Sequence, residues 1–293
     1  MKNKIQQQLA ELNIIDEKQV VPFYPKVRDR EDISVLRCNR SGVIFLSTSE
    51  HIENHYYLEK KGTSYWSSET REQGIKETFE DDNRRFNQFR HIISNKHYLD
   101  VGSGMGGILD LVKPHAEETA AVEPQAEIRE LLIKTGYVVY ESILSIPETK
   151  KYDVVSMFHV LEHLTNPLET LKEIHSKMSE GGKIIIEVPH ARDALIHLYN
   201  IEAFKKLTFW SEHLVLHTRE SISIFLRAAG FKNISVKGFQ HYPLANHLLW
   251  LQKGEPGGQN KFYQLRNHDL DTAYANVLKS LDQTDTIIAM AEK

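Results

Sequence analysis

The run Leu99-Asp100-Val101-Gly102-Ser103-Gly104-Met105-Gly106-Gly107 carries the most chemically pointed spacing in the chain. It follows a short apolar segment and opens a helix. Glycines in such a turn let the backbone bend tightly and approach a ligand that a side chain would block. Gly102, Gly104 and Gly107 also satisfy G-x-G-x-x-G, so the glycines alone fit a dinucleotide site, another adenosine cofactor, or a bare strand-to-helix turn. Two carboxylates narrow the choice. Glu123, at the end of the next apolar run, can accept hydrogen bonds from both hydroxyls of a ribose, whichever adenosine cofactor carries it. Asp100, two residues before the first glycine, would burden a pyrophosphate but can pair with the ammonium of a methionine moiety. That placement favours a sulfonium methyl donor over a nicotinamide.

Methyl transfer from a sulfonium needs little beyond positioning the nucleophile and, for a hydroxyl, removing its proton. Histidines near strand C-termini are the natural bases: His159, His163 and His190, then His213 and His217 in FWSEHLVLHT. Only one base is needed, so most of these are expected to be packing residues.

The elements that must hold these groups are read from alternating apolar runs and helical stretches, the pattern of a parallel sheet with crossover helices. Strands are expected at YLDVG, TAAVEP, YVVYES, YDVVSMF, KIIIEVP, NISVKGF and the terminal DTIIAMAEK. Helices start near Gly104, Gln125 and Asn166, the last spaced as Leu168, Leu171, Ile174 and Met178 and stopping at Gly181-Gly182. A further helix runs from Glu220 to Ala229. Before this core lie an opening amphipathic helix, a hairpin of SVLRC and GVIFL, and a charged helix through Asn83 to Arg90.

The remaining bounds come from composition. With 293 residues, 41% apolar and 26% charged, the chain suits one large α/β core with additions. A net charge of -4 gives no footprint for nucleic acid. The opening MKNKIQQQLAELN lacks the apolar stretch of a signal peptide, and no run is long enough to span a bilayer, so a cytoplasmic protein is expected. Cys38 is the single cysteine, which excludes an intrachain disulfide and a multi-thiolate zinc site. No metal is expected.

LDVGSGMGG, VEP, YDVVSMFHVLEHL, GGKIIIEVP and AAGF, in this order, resemble the class I S-adenosylmethionine-dependent methyltransferases over residues 97 to about 240 and the final strand. The resemblance implies an α/β fold: a seven-stranded, mostly parallel Rossmann-like sheet, helices on both faces, an antiparallel last strand, and a small N-terminal extension. It implies S-adenosyl-L-methionine as cofactor. Asp100, Val101, Gly102, Ser103 and Gly104 would cradle the methionine end, Glu123 the ribose, and Pro124 and Ile143 the adenine, with Phe158, His159 and His163 closing the site.

SEHLVLHTRESISIFLRAAGF is similar to a stretch of bacterial nucleotide-sugar methyltransferases in which a Glu-His pair lines the acceptor site, here Glu212 and His213. Those that methylate carbon carry a tyrosine where this chain has Trp210, which points away from C-methylation. RCNRSGVIFL resembles the second knuckle of the zinc ribbon that opens many such enzymes, with Ser41 where its second cysteine would stand, so a hairpin without metal is expected. Tyr56, Tyr57, Tyr65 and Trp66 could stack on a sugar or base, or simply pack.

The expected organisation is an extension over 1–90, a cofactor-binding core over 91–240, an insertion or lid over 241–283, and a final strand over 284–293. In the insertion, Tyr242, Asn246, His247 and Trp250 would face the acceptor, and GEPGGQN would form a loop able to move; a dimer interface or a plain cover on the sheet edge is the alternative. The leading functional expectation is O-methylation of a sugar or other small polar metabolite, perhaps nucleotide-linked and used in surface polysaccharide assembly. His213, His217 and His190 are the candidate catalytic residues. A nicotinamide-dependent oxidoreductase and an inactive cofactor-binding module remain the alternatives.

Overall fold

A computed structural model describes residues 3–52, 56 and 70–293. Its centre is a seven-stranded sheet in the order β10-β11-β8-β7-β4-β5-β6, formed by β4 (His97–Val101), β5 (Glu118–Val122), β6 (Val138–Tyr140), β7 (Tyr152–Phe158), β8 (Met178–Pro189), β10 (Lys232–Phe239) and β11 (Thr286–Glu292). β11 is antiparallel to both neighbours, while β4 to β8 pair in parallel. Central strands covered on both faces read as nearly unbroken apolar runs. Alternate residues accordingly enter separate cores: Leu99, Val155, Ile184 and Ile186 on one face, Tyr98, Val154 and Ile185 on the other.

Helices α2 (Arg71–Ile93), α3 (Gly107–Val112) and α4 (Ala126–Lys134) supply Phe89, Ile93, Leu109 and Leu132 to the second core. On the first face lie α5 (Pro167–Lys177) and α7 (Arg219–Ala228), started respectively by a proline in the first turn and by a Thr218–Ser221 capping box. The expected charged helix is thus much longer than Asn83 to Arg90. Thr70 caps it by accepting the Gln73 N–H at 3.3 Å.

The hairpin of β2 (Val35–Cys38) and β3 (Ile44–Leu46) is present, and β1 (Val20–Tyr24) and β9 (Val215–Leu216) extend it into a four-stranded sheet ordered β1-β2-β3-β9. Because β9 comes from the segment after β8, this sheet ties the N-terminal residues to the stretch that holds His213 and His217. Its apolar residues, with Ile5 and Leu9 of α1 (Lys4–Glu11), join the core that contains Leu161 and Phe225.

Two local expectations fail. The helix α5 ends at Lys177, and Gly181-Gly182 lie inside β8 instead of terminating the helix. Met178 pairs with Tyr152 before a bulge, and a side chain on Gly182 would lie 2.8 Å from the Ser179 carbonyl, so close backbone contact, not a helix stop, explains the glycine. The GEPGGQN stretch is only partly a loop: residues 254–257 connect α8 (Leu244–Lys253) to the short helix α9 (Gly258–Lys261), which starts directly against α8, before α10 (His268–Ser280). No described helix is long and apolar enough to cross a membrane.

Candidate active site

Strand β4 sits between β5 and β7 in the sheet, and the chain leaves it toward β5, then returns to its other side as β7. Beyond the C-terminal ends of such a switch point the connections diverge and leave a crevice. A cavity of about 570 Å³ lies there, within the usual range for small-ligand sites.

The glycine turn shapes its floor. Gly102 has φ +74° and would bring a Cβ to 2.5 Å from Val160, while a Cβ on Gly107 would lie 2.2 Å from the Asp82 carboxylate. Only glycine fits both constraints. The Gly104 N–H donates to Glu123 Oε2 at 3.0 Å, and the Gln125 N–H donates to Glu123 Oε1 at 2.9 Å. Asp100 accepts the Ser156 hydroxyl at 2.5 Å.

Burial raises the Asp100 carboxyl to about 7, against the opposing Ser156 hydrogen bond. Burial also raises Glu123 to about 7, opposed by the backbone N–H groups of Gln125 and Gly104. Asp82 is raised too, by burial first. Asp82 is paired with Arg85 at 3.4 Å, whereas Asp100 has no ion pair among the described residues, and a buried carboxylate of that kind facing a cavity favours a cationic ligand.

Asp100, Val101, Gly102, Ser103, Gly104, Glu123, Pro124, Ile143, Phe158, His159 and His163 all line this cavity. The residues suit S-adenosylmethionine on several counts. Ser103 Oγ is buried with no partner among the described residues, the turn is a cradle that any Cβ would fill, and each Glu123 oxygen keeps capacity for a further hydrogen bond. Thr78, Asp82 and Arg85 of α2 also line the cavity, and sequence reasoning missed them. Their signal was weak: a polar face on a charged helix looks like a solvated one.

At its C-terminal end β7 runs into His159, a non-glycine residue at φ +56°. Its Nδ1 lies 3.3 Å from Glu162 Oε1 and its Nε2 3.5 Å from Glu187 Oε1. Burial alone would lower the imidazole, but these carboxylates raise it to about 9. Arg84 and Arg85 both reach Glu187, at 2.8 and 2.7 Å. His159 is therefore an imidazolium locked between carboxylates, not a base.

His213 is half-buried, with its ring centroid 5.0 Å from that of His163, which itself lines the cavity. Burial, then the neighbouring His163, hold it down to about 3, so it is neutral at physiological pH. His190 and His217 are corrected away from the site. Neither lines the cavity; His190 Nδ1 is bonded to the Thr284 carbonyl at 2.9 Å, and the His217 ring packs edge-on against Phe225 with Nδ1 on Ser221. Both are buried, because the β8 and β9 ends that carry them bridge to each other instead of opening toward the cleft.

The insertion also departs from expectation. Tyr242, Asn246, His247 and Trp250 do not line the cavity. Asn246 bonds Gln259, His247 bonds Tyr274, and Trp250 packs edge-on to Phe204 of α6 (Glu202–Thr208). Tyr56 donates to Glu212 Oε1 at 2.8 Å; Tyr57, Tyr65 and Trp66 lie outside the described residues.

Comparison with known proteins agrees with this geometry. The profile of the family described as "Methyltransferase domain" matches residues 74–236, more than half of the chain. A tRNA U34 carboxymethyltransferase of Idiomarina loihiensis is 25% identical over 158 residues, covering 49% of this chain and 48% of that protein, so the chain matches about half of that relative's length. A ubiquinone biosynthesis O-methyltransferase of Coxiella burnetii is 20% identical, covering 53% of this chain and 71% of the relative. In fold, a SAM-dependent methyltransferase from Archaeoglobus fulgidus aligns with TM-score 0.50 at 21% identity, over 76% of this chain and 95% of that one. A chain from the complex of the Haloferax volcanii Trm112 methyltransferase activator with a methyltransferase aligns with TM-score 0.54 at 13% identity, over 80% and 99%. The chain belongs to the methyltransferase-domain family, and is a methyltransferase that uses S-adenosylmethionine.

Proposed function

We propose that this enzyme methylates a hydroxyl oxygen of a small polar acceptor, a sugar or related polyhydroxylated metabolite, nucleotide-linked in the fullest form of the reading and serving surface polysaccharide assembly. The observation that carries the oxygen chemistry is that His213, which does not itself line the cavity, packs as a neutral imidazole with its ring 5.0 Å from that of His163, which does. The sugar part rests on the Glu212-His213 resemblance, and the ubiquinone biosynthesis relatives, which are O-methyltransferases, support oxygen as the acceptor but not a sugar.

S-adenosylmethionine supplies an activated methyl group. In this reading Asp100 pairs with its ammonium and the unpartnered Ser103 hydroxyl bonds its methionine end. Glu123 holds the ribose, and Pro124 with Ile143 flanks the adenine. Phe158, His159 and His163 bound the end from which an acceptor enters. The test is transfer of labelled methyl groups to a panel of nucleotide sugars, free sugars, polyols and phenols. Transfer confined to nitrogen or carbon acceptors would overturn the oxygen assignment.

A further inference from the structure

Glu162 and His163 lie on the 3-10 turn Leu161–His163 directly after β7, and a backbone bond from Leu214 N–H to the Glu162 carbonyl at 2.8 Å draws the His213 segment against it. One ligand atom from each of Glu162, His163 and His213 lies within 4.8 Å of the others. Nδ1 of His163 sits 2.8 Å from the Glu212 carbonyl. A carbonyl can only accept, so Nδ1 carries the proton and Nε2, 3.8 Å from Glu162 Oε1, bears the lone pair.

Glu162 is fully buried, and His159 reaches only its Oε1. Glu162 Oε2 and His213 Nδ1 are both buried with no partner among the described residues. Burying a carboxylate oxygen and an imidazole nitrogen without partners is unfavourable unless something else satisfies them. Nε2 of His190 and of His217 are also buried without a hydrogen-bond partner among the described residues, but among those residues only Glu162, His163 and His213 bring a carboxylate and two imidazoles within ligand distance of one another.

We propose that Glu162, His163 and His213 bind a divalent transition-metal ion of the Zn²⁺, Co²⁺ or Mn²⁺ class, and that this ion takes the acceptor hydroxyl as a further ligand. Two imidazoles and one carboxylate are a common donor set for such ions, and three protein ligands leave positions open for substrate. Metal–ligand bonds of about 2.0–2.2 Å place neighbouring donors roughly 3–4 Å apart, so small side-chain rotations close the site. His159 serves as the positioning residue, because its hydrogen bond fixes Glu162 Oε1 and leaves Oε2 for the ion. The proposal rests on the oxygen acceptor reading, with His213 acting as a ligand of the ion in place of a free base. A hydroxyl bound to the ion loses its proton to solvent more readily. Its oxygen then forms the new bond to the methyl carbon while the carbon–sulfur bond breaks and leaves its electron pair on sulfur.

The experiment titrates the chelator-treated full chain with Zn²⁺ by calorimetry and with Co²⁺ by visible absorption, and titrates the same metal-free protein with S-adenosylmethionine. One ion per chain is expected, with a Co²⁺ spectrum of nitrogen and oxygen ligation. Loss of a partner that merely orients a ligand weakens metal binding about 10- to 100-fold, so His213→Gln and Glu162→Gln should each weaken it at least that much. His268→Ala, on the exposed start of α10, should not. Circular dichroism and cofactor affinity check that the variants remain folded, and the spectrum of the parent protein decides if they do not. Absence of saturable Zn²⁺, Co²⁺ or Mn²⁺ binding, or undiminished binding by folded His213→Gln and Glu162→Gln, overturns the ion. Cofactor binding without metal binding sinks the ion alone, whereas metal binding without cofactor binding sinks the cofactor site instead.

Discussion

The Gly104 N–H donates to Glu123 Oε2 at 3.0 Å, so the turn after β4 is fastened to the carboxylate that ends β5. One side chain therefore shapes the turn and offers itself to a ribose. Glu123→Ala should weaken S-adenosylmethionine binding by about 1.5–3 kcal/mol, the usual loss for hydrogen bonds to a charged group. Glu123→Gln should fall between, because its amide oxygen can still accept one of the two N–H groups. Calorimetry measures both, and an unchanged affinity in folded Glu123→Ala would remove it from the site.

Protonation of Asp100 gives a second prediction. With its carboxyl raised to about 7 by burial, lowering the pH from 8 to 6 adds a proton and removes the charge that pairs with the cofactor ammonium. Affinity should fall over that interval, and Asp100→Asn should bind weakly at both values. An affinity that stays level between pH 6 and 8 in the parent protein would argue against the pairing.

Stability of the ligand-free protein should run the other way. Asp100 and Glu123 both sit near 7 in the folded chain, above their ordinary values, so the folded state holds protons that the unfolded state has already released. Their contribution to stability then decreases as pH rises from about 4.5 to 7. Glu187 and Glu162 are held below the ordinary range by hydrogen bonds to His159, outweighing burial. Their contribution is lost only as pH falls below about 4.5. The histidines His190, His213, His217 and His247, held low by burial, act in the opposite sense below about pH 6.5, so the test is the difference between proteins: Asp100→Asn should lose less melting temperature than the parent as pH rises from 5 to 8.

The sheet was legible because its parallel strands are mostly apolar runs ended by turn residues, and the grouping of Asp100, the glycines and Glu123 around one cavity because they lie at consecutive strand ends. What stayed hidden depends on which way a side chain faces. His190 and His213 both follow apolar segments in the sequence, yet one is held by the Thr284 carbonyl inside the fold and the other adjoins His163. Arg85 and Asp82 were missed because nothing in a charged helix tells which polar residues meet a cavity and which meet water. Gly181-Gly182 misled because a glycine required by close strand backbones resembles one that ends a helix.

The histidines can be told apart by what their loss damages. His213→Ala should retain cofactor affinity while turnover falls on the order of a hundred to ten thousand-fold. His217→Ala removes a ring packed on Phe225 and should lower the melting temperature with turnover per folded molecule nearly intact. If turnover survives in His213→Ala and collapses in His217→Ala, the acceptor end of the site has been misplaced.

The insertion supplies the final prediction, since Asn246, His247 and Trp250 pack on Gln259, Tyr274 and Phe204 and not on the cavity. A Cβ on Gly258 would lie 2.1 Å from the Ala245 carbonyl and 2.7 Å from the Asn246 Cα, both backbone atoms of α8. Neither can yield as a flexible side chain would, so Gly258→Ala must separate α9 from α8. Overpacking of this kind costs about 1–3 kcal/mol. None of the insertion's residues lines the cofactor cavity, so the variant should melt earlier yet bind S-adenosylmethionine as the parent does. Thermal melts and calorimetry on one preparation decide it: lost cofactor affinity at a temperature where the variant is folded would show that the insertion reaches the cavity after all.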